Sequence, residues 1–170
     1  MATGDIAQKW GTAGTLTHTL ASMATSSTKL VGWELGELDI SALGAVTDVL
    51  FNVKITTGTT PTTAKSIEVW AIACLADLTY PGVFDGTSSA ETIASAEEKT
   101  SVCRFLLASF TTNASSNIPY EATGLSLLGT GMLRLPKKVV LFVTHDTAVN
   151  LNSTAGNHVI GYVPIYENVA

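Results

Sequence analysis

Charge is what this sequence most lacks. Only 14% of its 170 residues are Asp, Glu, Lys or Arg, against about 25% in ordinary soluble domains. Ser and Thr fill the gap, and weakly charged surfaces associate readily, so neighbouring subunits or a larger body are expected to cover part of this one. Basic clusters are missing too. The net charge is −5, the pI about 5.0, and the longest basic run is Lys137-Lys138. Neutralising phosphates takes clustered cations, so nucleic acid is not an expected partner. No apolar stretch approaches the ~20 residues needed to cross a bilayer. The first residues, MATGDIAQKW, hold no basic region followed by an apolar core, so they do not read as a signal peptide. These absences predict a soluble protein made in the cytosol, with no membrane partner. Cys74 and Cys103 are the only cysteines, each in an apolar, strand-like context. Cytosolic synthesis favours reduced thiols acting as small buried hydrophobes, and a disulfide needs their strands to meet.

Catalytic signatures are equally scarce. The sequence has no G-x-S-x-G, H-E-x-x-H, Walker loop or C-x-x-C. His18, His145 and His158 are scattered. His145-Asp146 could be completed into a triad only by choosing one serine among very many. Asp77, Asp85 and Glu91 share one long loop but lack the alternate-position spacing of a calcium loop. Glu34, Glu37 and Asp39 read as solvated acids on a turn. The expectation is a protein that is not an enzyme and takes neither metal nor cofactor.

What the chain has in quantity is β pattern. In the run from Val46, Val49, Phe51, Val53 and Ile55 alternate with Leu50, Asn52 and Lys54. In the run ending at Cys74, Ile67, Val69, Ala71 and Ala73 alternate with Glu68, Trp70 and Ile72. A period of two sends successive side chains to opposite faces of a strand. The Thr-rich connector with Gly58 and Pro61 suits a turn. This central pair puts Val53 and Val69 on a common core. Further strands are predicted over 15–24, 30–35, 101–110, 120–128, 138–144 and 158–167, with a short one possible over 148–151. The run KVVLFVT is apolar on both faces and therefore central. Gly32 reads as a bulge, and Pro164 as the mark of an edge or bulge. The S-x-x-E spacing from Ser88 to Glu91 predicts one short helix running toward Lys99. Together these predict an all-β chain: a two-sheet antiparallel sandwich over residues 15–170, best fitted by a jelly roll, with at most one short helix, behind an N-terminal arm over residues 1–14.

Three aromatics stand out as interface residues. Trp10 is the large apolar residue of the arm. Tyr80 and Phe84, beside Pro81-Gly82 and Asp85-Gly86, read as an exposed pair that meets either another subunit or a sugar ring. Trp33 and Trp70 lie in strands and read as core.

The ordered segments LTHTLASMATSS, DVLFNVKITTGTTPTTAKSIEVWAIA, DLTYPGVFDGTSSAE and LRLPKKVVLFVTHDTAVNLNSTAGNHVIGYVPIYE resemble small virion structural proteins of tailed bacteriophages. The likeness covers residues 15 to 167 as a pattern and not through any one specific motif. It implies a jelly-roll decoration or cement protein on the capsid surface, a trimer or dimer that clips major capsid protein subunits together. The competing class is a tail-associated or carbohydrate-binding sandwich using Tyr80 and Phe84.

Overall fold

The computed structural model describes residues 6–75 and 79–169. Strands are numbered in chain order. One sheet runs β1 (Ile6–Trp10), β11 (Val159–Val169), β5 (Val46–Thr56), β9 (Pro119–Ser126), and the short β2 (Gly14–Thr15) also pairs with β11. The other runs β7 (Ser89–Thr92), β3 (Val31–Glu34), β10 (Lys138–His145), β6 (Ser66–Cys74), β8 (Phe105–Thr111), and β4 (Leu38–Asp39) also pairs with β10. Every pairing is antiparallel. Take β1 with β2 as one strand, β3 with β4 as another, and set β7 aside. The remaining order is then first-eighth-third-sixth in one sheet and second-seventh-fourth-fifth in the other. That is the strand order of a jelly roll, as expected.

The alternation in the central pair does what its phase predicts. Val49, Phe51, Val53 and Ile55 of β5, and Ile67, Val69 and Ala71 of β6, are all buried in one core between the sheets. The two strands do not hydrogen-bond to each other, because the Thr-rich connector carries the chain from one sheet to the other. β10 is buried along its length from Val139 to His145. Its second face needs a cover, which residues 79–103 supply: Tyr80, Phe84, Ile93 and Cys103 pack on Ile72, Cys74, Val140 and Phe142. Both cysteines are free thiols.

Several local expectations shift. The alternating run over 15–24 is mostly not strand. The Leu16 N–H still bonds to Ile160 in the first sheet, while the Thr17 carbonyl accepts from Gly36 beside the second. This segment therefore crosses between sheets, and its leucines, Leu16 and Leu20, plug the core. The expected arm over 1–14 is, where described, part of the first sheet: β1 pairs with Glu167 and its neighbours on β11. A polar edge strand of this kind has no apolar period to mark it in the sequence. Pro164 lies in β11, which is flanked on both sides, so it is not on an edge. Its carbonyl accepts from Gly11, and in an antiparallel ladder a residue's N–H and C=O face the same neighbour. The missing donor thus points at the break between β1 and β2. A register shift against β5 follows at Ile165/Tyr166.

The helix, α1, spans Ala96–Val102, later than the Ser88 box predicts. Ser89–Thr92 is strand β7, and a second S-x-x-E four residues past Glu91 does the capping. The Glu98 N–H donates to Ser95 Oγ at 3.1 Å, and the Glu98 carboxylate accepts from the Ala94 N–H at 2.9 Å. The helix takes residues 96–102, so β8 starts only at Phe105. Over 148–151 there is no strand, only a bridge from Leu151 to Thr57. At Gly32 no register shift occurs. A Cβ there would strike the Val143 carbonyl and stand 2.6 Å from the Phe142 ring, so the glycine permits close approach and is not a bulge. Gly32→Ala is therefore expected to cost more than the ~1 kcal/mol of a simple propensity change, read as a clear drop in melting temperature.

Candidate functional site: an apolar face rimmed by arginines

Most of the chemistry-bearing residues serve a structural task. His145 is fully buried. Its Nε2 meets the Met23 carbonyl at 3.2 Å and its Nδ1 meets the Thr147 hydroxyl at 2.9 Å. Burial drives its pKa down to about 4, so the ring is a neutral tie. His158 is likewise tied, with Nε2 at 2.8 Å from the Asn152 carbonyl, and its pKa is lowered by burial. His18 is half-buried with Nδ1 unpartnered, and its pKa is lowered by burial and then by His158. Asp146 accepts from the Ser66 N–H at 2.7 Å and lies 3.7 Å from Lys65. It serves the connector and makes no triad.

A second polar network surrounds Glu68. Lys29 and Lys99 approach its carboxylate at 2.8 and 3.0 Å, the Trp70 indole donates at 3.0 Å, and Lys99 stands over the Trp70 ring. Burial pushes the Glu68 pKa up, but these bonds outweigh it and hold the carboxylate below its ordinary value. Trp33 and Trp70 are half-buried against the two cores, as their strand positions imply. Among the described residues no group of three His, Cys, Asp or Glu could hold a metal ion. Asp85 accepts from the Thr87 N–H within its own turn, and Glu91 accepts from the Ser89 hydroxyl within β7. Asp77 lies outside the described residues.

The three aromatics chosen for an interface divide. Trp10 is 60% exposed, at the end of β1. Tyr80 and Phe84 are only 7% and 3% exposed, which corrects their reading as an exposed pair. The Phe84 ring meets Phe142 edge-on at 5.3 Å, and the Tyr80 hydroxyl donates to Glu37 at 3.0 Å. Turn residues around them signalled a surface loop correctly, but β10 and β6 needed an apolar lid and took these rings for it.

Two acids read as solvated instead hold that lid from the sheet side. Glu34 is fully buried, and its carboxylate accepts from the Gly86 N–H at 2.7 Å and the Asp85 N–H at 3.3 Å. Burial raises its pKa to about 7, against the lowering effect of those two bonds, with Asp85 and Glu91 adding to the rise. Glu37 takes Lys138 at 2.9 Å. Nothing in the local sequence marks Glu34 as buried except its strand phase beside Trp33.

Among the described residues Val31 and Val159, exposed by 41% and 42%, lie elsewhere, while the most exposed large apolar side chains lie toward one end of the sandwich. β6 ends there at Cys74, β8 begins at Phe105, and β10 begins at Lys138. The segments beyond these ends expose Leu75 by 64% and Leu133 by 98%. Between them lies a cleft of about 290 Å³, floored by Ala73, Val102, Phe105, Met132 and Pro136, with Arg104 and Arg134 at its rim. These are the only arginines in the chain. Both are exposed, and neither forms an ion pair with a described residue. The register Trp10↔Ile165↔Asp48 places Trp10 toward the same end, near the start of β5. Sequence reasoning missed the face because its residues are scattered between positions 73 and 136.

No protein-family model and no curated protein matches the sequence. The class defined is that of the fold: an antiparallel jelly-roll sandwich, with an apolar, arginine-rimmed face at one end.

Proposed function

We propose that this chain is a virion structural protein, a capsid decoration (cement) protein that binds major capsid protein subunits and stabilises the head as a homo-oligomer. The observation that carries the reading is the face holding Leu75 and Leu133. A side chain such as Leu133, exposed by 98% beside a second leucine, gains nothing in a monomer. Apolar floors with arginine at the rim are interface chemistry. The low charge content, the jelly-roll frame and the resemblance to phage virion proteins support the same reading. A small rigid body contacting several subunits gains by multivalency what each patch lacks. The sugar-binding alternative rested on Tyr80 and Phe84, and with both rings in the interior no observation favours it.

The test is co-sedimentation with heads that lack the protein. The wild type is expected to pellet with them at a fixed ratio to the major capsid protein. Leu133→Glu and Trp10→Ala change exposed residues, so their melting curves should match the wild type while head binding falls. Wild-type protein that stays in the supernatant would refute the reading.

A further inference from the structure

The charge around the end face specifies what kind of chain it receives. Charge is scarce in this molecule, and five of its seven lysines are paired internally. Lys29, Lys54, Lys65, Lys99 and Lys138 each lie 2.8 to 3.7 Å from a carboxylate. Arg104, in the turn between α1 and β8, and Arg134, in the loop before β10, have no such partner among the described residues. Both border an apolar cleft flanked by the exposed Leu75 and Leu133.

We infer that this face binds an acidic, apolar-tipped segment of another protein: an extended loop or terminus in which leucine-sized side chains sit between carboxylates. The inference rests on reading the face as the contact with the shell, so the segment would belong to the shell subunit. A guanidinium pairs with a carboxylate through two parallel bonds, and a neighbouring apolar contact keeps water from competing for them. The two arginines fix the register of the segment, and the leucines supply the buried area. A nucleic-acid strand is a poorer fit, since the cleft holds a single half-buried ring, Phe105, and no row of rings for bases to stack on.

The experiment is a titration of ¹⁵N-labelled full-length protein with a capped peptide of two leucines flanked by glutamates. The control peptide carries glutamine in place of each glutamate. Amide shifts are expected at residues 73–75, 101–106 and 132–136, at least about tenfold weaker affinity for the glutamine peptide, and loss of binding in added salt. Arg104→Glu with Arg134→Glu should keep the wild-type melting curve, lose the glutamate peptide and gain a lysine-flanked one. Equal binding of the glutamine peptide, shifts elsewhere, or no shift at millimolar peptide overturns the inference. So does a response of these same amides to phosphatidylglycerol vesicles alone, which would make the face a lipid contact. Head co-sedimentation, run in parallel, separates the two readings. Peptide binding without head binding removes the shell assignment and leaves the face chemistry standing. Head binding that survives reversal of both arginines does the opposite.

Discussion

Val53→Asp is expected to yield no soluble, cooperatively melting protein. Val53 is 2% exposed, on the inward face of β5, paired with Ile160 of β11 on one side and Ala122 of β9 on the other. It shares the core between the sheets with Val69 and Leu141. The neighbours it packs against in that core are apolar. An unpaired carboxylate buried this way costs several kcal/mol, a large part of the roughly 5–15 kcal/mol that stabilises a domain. Asn52→Asp is the control, one residue away on the outward face. Asn52 is exposed, and its Oδ1 accepts from the Gly124 N–H at 3.0 Å, a bond a carboxylate can also make. It should be soluble and melt close to the wild type. Soluble fraction and thermal melts decide: a normally melting Val53→Asp protein would mean that the two faces of β5 have been exchanged.

The same contrast shows why part of this fold was legible. β5, β6, β10 and β11 each bury at least one face deep in the sandwich, so the period of two or an unbroken apolar run had to appear in their sequences. β1 lies on an edge, where the chain IAQKW needs little apolar content, and no period marked it. Residues 15–24 carried the right period for another reason, since Leu16 and Leu20 fill the core from a crossing segment. Two S-x-x-E boxes stand seven residues apart. The strand pairing of Ser89–Thr92 with β3 excludes the first as a helix start and leaves the second.

The lid does have a signal in the sequence. KVVLFVT, apolar on both faces, required a second apolar layer, and the long segment before β8 was the available chain to provide it. Tyr80 and Phe84 were then better read as the underside of that layer than as surface anchors. The end face had no such signal. Leu75, Arg104, Leu133 and Arg134 meet only because three strands of the second sheet start or stop together.

Glu34→Gln is expected to stabilise the protein at pH 7.5 to 8 and to make little difference at pH 4.5. In the fold the Glu34 carboxyl ionises at about 7, and burial is the main cause. In the unfolded chain it ionises near 4.3. Between these values the folded state holds the proton more tightly than the unfolded one, so this group's contribution is fully present below about pH 4.3 and is lost as pH rises through 7. The loss is on the order of 3 kcal/mol. Glutamine carries no charge at any of these pH values, and its carbonyl can still accept from the Gly86 N–H that Glu34 meets at 2.7 Å. The groups facing Glu34, chiefly Asp85 and Glu91, are present in both proteins. So are His18, His145 and His158, whose lowered pKa values remove stability as pH falls below about 6.5. These effects largely cancel in the difference between the two proteins, although both should lose stability in acid. Urea unfolding at pH 4.5, 5.5, 6.5 and 7.5 therefore tests one carboxyl. The variant's advantage should grow with pH, and a difference that stays flat across the series would mean that Glu34 is already ionised, and satisfied, beneath the lid.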